Sequence, residues 1–403
     1  MVSPRAEPAS TDLVGAHNDP LQRSVASEAT REQAEGGNGE RGGPVRTTDE
    51  KDVFTSDFIL VPLPVESMDL PSAFRTLGEW AEESSPLYEH LCREIADDPA
   101  ILDLAADVPP DRWAPHITLS AVHYLLLNGA DHPLASFYPS VSNSPRNPTG
   151  AYPHSRDFCL ARADDLRPLL RRRRTQSNAV GRCAALYPAF CHIAQQVSEP
   201  LALLELGSSA GLNLNWDRYA YTYDGERYGR PSAAVTVEST VRAGEPPLQE
   251  TAPNVSARLG IDLNPLDLTD PDDAAWLRAL IWPEHPDRLE LLEAAIAASQ
   301  ESPPKVVTGD AVETLEQHAS KMPDDATLVV YYTALLYQLP EEQQTELRRV
   351  LAAIGENRPV WWLSGDGETD EDGTFGLDIT RFPGDETIRL GRYEQHGRWI
   401  EWS

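Results

Sequence analysis

Lysine is almost missing from this 403-residue chain: Lys51, Lys305 and Lys321 are the only three among 34 basic residues, against 64 acidic ones. The formal net charge is −30. Such a surface repels phosphates at ordinary salt, so no nucleic-acid partner is expected. Abundant carboxylates keep a protein hydrated, with a self-repulsion that salt screens. We read this as adaptation to a high-salt cytoplasm, a halophilic protein, the alternative being an ordinary acidic one. Cysteine is scarce as well. Cys92, Cys159, Cys183 and Cys191 make no CxxC pair and accompany no HxxxH. No metal site is therefore expected, and the four read as small buried hydrophobes in a reduced cytosol. Long apolar runs are also absent. The first 38 residues lack the apolar core of a signal peptide, and the longest apolar stretch, 328–339, is interrupted and too short to span a bilayer. A cytoplasmic protein without a membrane partner is expected.

What the chain does have is apolar content, 40% of residues with 9 Trp and 13 Tyr, enough for a sizeable core. Residues 1–52, rich in Pro, Gly, Ser, Glu and Arg without periodicity, read as a disordered acidic tail. From 53 to 198 the chain reads as a mainly helical domain, with an apolar arm over 54–65 punctuated by Pro62 and Pro64. Apolar residues recur at spacings of three and four, as in Phe74, Leu77, Trp80, Ala81 and Leu87, Leu91, Ile95. Further helices are expected over 117–127, 158–170 and 178–197, with Thr175, Gln176, Ser177 and Asn178 as an N-cap cluster. The run Arg171 to Arg174 reads as a solvated helix end beside local acids.

From 199 to 403 short apolar segments alternate with amphipathic ones. Strands are expected at LALLEL, GID, KVVTG, TLVVYY and PVWWL. A hairpin insertion covers about 219–253, GDGETDEDGTFG is an acidic loop, and the last residues form an antiparallel hairpin turning at His396-Gly397. This order predicts an α/β fold: a Rossmann-like, mostly parallel sheet with helices on both faces, an N-terminal helical domain and a C-terminal antiparallel hairpin. In such sheets the ligand lies across the carboxyl ends of the strands. Glu205, Asp262 and Asp310 are acids that fall at strand ends. The first strand runs into Gly207-Ser208-Ser209-Ala210-Gly211, after which a helix-like segment begins.

These three motifs resemble those of the class I S-adenosylmethionine-dependent methyltransferases: Glu205-x-Gly207-x-Ser209-x-Gly211, then Gly260-Ile261-Asp262, then Gly309-Asp310-Ala311. The resemblance implies S-adenosylmethionine as cofactor. By it Gly207 and Gly211 approach the methionine part, Asp262 takes the ribose and Asp310 reaches the adenine. Ser208, Asn213, Ala311 and Tyr331 complete the implied cofactor site. Ser209 stands where that family has a glycine, and Asp262 is displaced along the chain by the hairpin insertion. Over about 71–363, AVHYLLLNGADHPLASFYPS, TQSNAVGRCAALYP, LLELGSSAGLNLNWDRY and GIDLNPLDLTDPDDAAWLRALIWPE also resemble the domain-of-unknown-function 2332 family, which supplies no reaction.

Three functions follow. The first is a methyltransferase acting on a small molecule, with the helical domain as lid or substrate wall. Its candidate wall residues are His123, His132, Tyr138, Asn178 and Arg182, His132 being the candidate base. His123 alone, inside an apolar helix, reads first as a hydrogen-bonded core residue. The second is a non-catalytic relative that binds a nucleotide-like ligand or none. The third is a serine hydrolase, since residues 207–211 also spell G-x-S-x-G with Ser209 central and His285, His318 and His396 downstream.

Overall fold

The computed structural model describes residues 68–176, 178–367 and 374–403; the expected tail and the apolar arm lie outside them. The described chain begins with α1 (Leu70–Ala81), α2 (Pro86–Ile95) and α3 (Pro99–Ala105). Each starts on a side-chain cap with proline in its first turn: Asp69, Ser85 and Asp98 accept from backbone N–H groups two or three residues on. Then come α4 (Ala114–Leu127), α5 (Tyr152–Ala161), α6 (Ala163–Arg172) and α7 (Cys183–Ala194). The single helix expected over 158–170 is thus two, broken at Arg162, whose φ of −112° and ψ of 19° leave the helical region. The helix expected from 178 begins only at Cys183. Its intended cap residues are used elsewhere: Gln176 bonds Asp262, and Asn178 accepts from Leu212 N. The arginine run meets acids as expected, Arg171 on Asp107, Arg172 and Arg173 on Asp272, and Arg174 on Asp111.

The strands are β1 (Leu201–Leu206), β2 (Ala220–Tyr223), β3 (Glu226–Gly229), β4 (Thr236–Ala243), β5 (Val255–Asp262), β6 (Val306–Thr308), β7 (Thr327–Tyr332), β8 (Val360–Ser364), β9 (Thr374–Phe382), β10 (Glu386–Glu394) and β11 (Trp399–Trp402). Four helices connect them: α8 (Pro271–Ala279) and α9 (Pro286–Glu301) before β6, α10 (Ala311–Ala319) before β7 and α11 (Glu341–Gly355) before β8. One sheet runs β3-β2-β4-β11-β10-β9-β8-β7-β1-β5-β6. The block β6-β5-β1-β7-β8 is parallel throughout. The fold is therefore mixed α/β with a large, mostly parallel sheet.

Two expectations change here. The acidic loop ends earlier than expected, because Thr374 to Gly376 already pair as the start of β9. The C-terminal hairpin is accordingly one turn of an antiparallel run, β8-β9-β10-β11. The insertion over 219–253 is no excursion either: β4 pairs in parallel with β11 and carries the sheet on to β2 and β3.

The segment after β1 is a seven-residue 3-10 turn, Leu212–Arg218, where a helix was expected. Its carbonyls are claimed from outside. Tyr219 Oη donates to Leu212 O at 2.7 Å, Arg258 Nη1 to Leu214 O at 2.5 Å and Tyr221 Oη to Trp216 O at 2.6 Å. With those acceptors satisfied by side chains, the i→i+4 ladder has no advantage.

Alternation along the central strands divides the core. Leu203, Tyr331 and Leu363 belong to the layer that includes α7, α8 and the N-terminal helices. Leu204, Val330 and Trp362 belong to the layer under α10 and α11. The N-terminal helices are tied to the sheet's connections by Glu284, which accepts from Ser85 Oγ at 2.6 Å and Leu87 N at 2.8 Å. Among the described residues no helix is long and apolar enough to cross a membrane.

Candidate functional site at the carboxyl end of the first parallel strand

Within the parallel block, β5 and β6 lie on one side of β1 and the later β7 and β8 on the other. The carboxyl end of β1 is therefore the topological switch point, where open α/β sheets hold their ligands. Glu205 stands there, in register with Gly260 of β5 and Tyr331 of β7.

The loop that leaves β1 is tightly shaped. Gly207, Ser209 and Gly211 all have positive φ, +65°, +53° and +73°. At Gly207 a side chain would also meet Leu335, whose Cδ1 lies 3.0 Å from where a Cβ would stand. Ser209 adopts this conformation without being glycine, a strained state that needs external support. Two bonds supply it: Ser209 N donates to Asp262 Oδ2 at 2.8 Å, and Ser209 Oγ donates to Gln176 O at 3.1 Å. Asp262 Oδ1 in turn accepts from Asn264 N at 2.8 Å and Gln176 Nε2 at 3.3 Å. Gln176 and Asn264 are also paired with each other, Asn264 Nδ2 donating to Gln176 Oε1 at 2.6 Å. Asp262 thus joins three segments at one carboxylate.

Beneath the loop lies a group of buried polar atoms: Ser208 Oγ, Asn213 Nδ2 and Trp216 Nε1 have no partner among the described residues, and the Glu205 and Tyr331 side chains face each other. Buried polar atoms are nearly always hydrogen-bonded, so three orphans in one neighbourhood mark a place where a polar ligand or water belongs. They share one packing unit. Phe190 stacks on Trp216 at 4.1 Å and meets Tyr331 edge-on at 5.2 Å, and Cys183 Sγ donates to Asn213 Oδ1 at 3.4 Å. Burial pushes the Glu205 carboxyl well above the ordinary range, and the charge of Asp262 adds to the rise.

The other expected residues are placed differently. Asp310 caps α10, accepting from Val312 N at 2.8 Å and Glu313 N at 3.0 Å, and Ala311 is the first residue of that helix. His132 accepts from Leu134 N at the start of a short 3-10 turn and meets Asp157 at 3.1 Å, all within the N-terminal helical region. Tyr138 is fully buried beside Tyr88 and His123. Asn178 and Arg182 do reach the sheet. Asn178 fastens Leu212, and the buried Arg182 donates from Nε to Gln395 O at 2.9 Å with its guanidinium 5.9 Å from the Phe375 ring centroid. Gln176 carried no distinguishing sequence signal, since its partner lies 86 residues away.

His123 is a core residue: its ring nitrogens meet Ala279 O at 3.1 Å and Ser140 Oγ at 2.7 Å. Burial lowers its pKa from 6.5 to about 4. A histidine with a depressed folded pKa adds stability that is fully present above the unfolded value and lost as pH falls through the folded one. Between pH 7 and 5 the wild type is expected to lose about 2 kcal/mol more unfolding free energy than His123→Gln. Denaturant titrations of both proteins at the two pH values check this. Taking the difference cancels Glu205, whose raised pKa acts in the opposite sense.

A parallel block with a strained loop and buried acid at its switch point defines a mixed α/β protein with a large, mostly parallel sheet. The chain belongs to the family described as uncharacterized protein conserved in bacteria (DUF2332), which it matches over residues 71–402. No curated protein and no solved structure matches it.

Proposed function

We propose that the protein is an S-adenosylmethionine-dependent methyltransferase acting on a small molecule, with the cofactor across the carboxyl ends of β1 and β5. One observation carries this reading: the Asp262 carboxylate ends β5 directly beside the positive-φ loop that follows β1. The residues present fit such a ligand. A carboxylate offers about four acceptor positions, and three protein donors occupy Asp262, leaving Oδ2 able to accept from a ribose hydroxyl. Ser208 supplies an unpartnered hydroxyl below, beside the facing Glu205 and Tyr331 side chains, while Gly207 keeps the loop free of a side chain. When bound, the cofactor supplies an electrophilic methyl group. The chain's own task is to position the two reactants and exclude water, and a base is needed only if the acceptor carries a proton.

A second reading, a non-catalytic relative, is favoured by the grip of Gln176 on Asp262, which a ribose must share or displace. The serine-hydrolase reading gains no support, because the Ser209 hydroxyl is bonded to the Gln176 carbonyl and to no histidine.

Calorimetry with S-adenosylmethionine and S-adenosylhomocysteine in molar KCl separates these. Binding is expected, and Asp262→Ala should weaken it by about tenfold or more through lost charge-assisted hydrogen bonds. Melting curves of the variant distinguish lost affinity from a collapsed loop. If neither ligand binds the folded wild type, the methyltransferase reading fails.

A further inference from the structure

A second acid, passed over in the sequence, lies beyond the β1 crevice. Asp366 follows β8 and is only 4% exposed. Its Oδ2 accepts from Leu335 N at 2.5 Å and Leu336 N at 2.8 Å, which fixes the turn after β7. Among the described residues Oδ1 meets no donor in hydrogen-bond geometry, and the Tyr337 N–H is also turned toward the carboxylate. Asp366 lines a cavity of about 360 Å³ at the carboxyl ends of β7 and β8, on the face that carries α11. That volume is at the lower end of the range typical of small-molecule sites. The aromatic rings of Tyr332, Tyr337 and Trp362 contribute to its wall.

The other polar groups on this wall are largely committed. Tyr332 Oη donates to Ser364 Oγ at 2.8 Å, and Thr380 and Thr387 are bonded to each other at 2.8 Å. Arg348 pairs with Asp385 at 2.6 Å and lies 5.6 Å from the Trp362 ring centroid, while Asp378 pairs with Arg389. What is left among the described residues is a buried carboxylate oxygen without a well-placed donor, beside three aromatic rings. The complement to that surface is a ligand that brings an N–H donor on a compact apolar body, with positive charge that both the carboxylate and the ring faces attract.

We propose that this cavity is a binding site for a small organic amine, whose nitrogen donates to Asp366 Oδ1 while its apolar body packs against Tyr332, Tyr337 and Trp362. The site is separate from the β1 crevice and does not depend on what that crevice holds.

Titration supports the same picture. Burial raises Asp366 from 3.8 to about 7, opposed by the N–H groups of Leu336 and Leu335 and by Arg182. The charged and titratable groups around it are Arg182 from the 180–182 turn, Asp378 on β9, Arg389 and Tyr393 on β10, Arg348 on α11, Tyr332 on β7 and Tyr337 in the turn after β7. An ammonium group requires the ionised carboxylate, so below pH 7 binding must displace a proton and the affinity falls.

Benzylamine serves as the probe, with benzoate as the oppositely charged comparison, titrated into the full-length protein by calorimetry or ligand-observed NMR. Molar KCl screens the exposed carboxylates and leaves a buried contact largely intact. Saturable binding of benzylamine is expected at pH 8, at least about tenfold tighter than benzoate and weakening by up to about tenfold per pH unit below 7. Asp366→Asn should weaken it by about tenfold or more. Leu336→Trp, which narrows the cavity and leaves the carboxylate in place, should weaken it as much, and it decides the matter if Asp366→Asn does not fold. The proposal is overturned if folded wild type does not bind benzylamine saturably, if benzoate binds equally well, or if folded Asp366→Asn or Leu336→Trp binds benzylamine as the wild type does.

Discussion

Gly397→Ala is expected to destabilise the protein by about 3 kcal/mol, through added left-handed strain and overpacking. Gly397 sits at the turn between β10 and β11 with φ +80°. A Cβ there would stand 1.9 Å from the carbonyl oxygen of Gly181, and a Cβ on Gly181 would stand 2.0 Å from the carbonyl oxygen of His396. Two backbones therefore touch with no room for a side chain on either. The contact fastens the C-terminal turn to the segment that carries Asn178 and Arg182, next to the Arg182 bond to Gln395 O. Gly225→Ala is the control, because Gly225 has φ +87° and nothing within 4 Å of its would-be Cβ. It should show the conformational penalty alone, about 1 kcal/mol. Denaturant midpoints at unchanged slope measure both. If Gly397→Ala is no worse than Gly225→Ala, the close approach does not matter to stability.

The parts of this fold that could be read in advance are those whose local pattern agrees with their tertiary role. LALLEL, TLVVYY and VWWL are continuous apolar runs because β1, β7 and β8 are covered on both faces, and each was recognisable as a buried strand. The acids ending β1 and β5 were legible for the same reason, since the strand ends were. Residues 212–218 misled because a helix usually follows the first strand of such a unit; Tyr219, Tyr221 of β2 and Arg258 of β5 capture the carbonyls instead. The start of β9 was hidden by the acidic run before it. Asp310 was given a cofactor role by the resemblance, and its position two residues beyond β6 is also the N-cap of α10. In both cases the residue type suits either use, and only the packing decides. Asp366 and Gln176 lay in segments that read as a loop and a helix cap, and their chemistry exists only once β7 and β5 are brought beside them.

Trp216→Ala is the other substitution expected to have a large effect, and it tests whether the layer beneath the β1 loop supports the site. Trp216 is fully buried in the turn after β1. Its ring lies 4.1 Å from Phe190 at an interplanar angle of 5° and 6.2 Å from Tyr187. Truncation removes the stack, opens a cavity under Asn213 and leaves Phe190 without the surface that presses it on Tyr331, so a loss of about 3–5 kcal/mol is expected. Trp216→Phe keeps an aromatic ring against Phe190 and deletes an indole N–H that has no partner among the described residues, so it should cost much less than the alanine variant. Chemical denaturation of the two variants gives this ratio. A second readout separates packing from site support: in Trp216→Phe the affinity for S-adenosylhomocysteine should follow the wild type, whereas in Trp216→Ala, under conditions where it remains folded, the affinity should fall with the loosened β1 loop. Equal affinity in both folded variants would show that the loop is held by Asp262 and Gln176 alone and that the Trp216 layer contributes stability only.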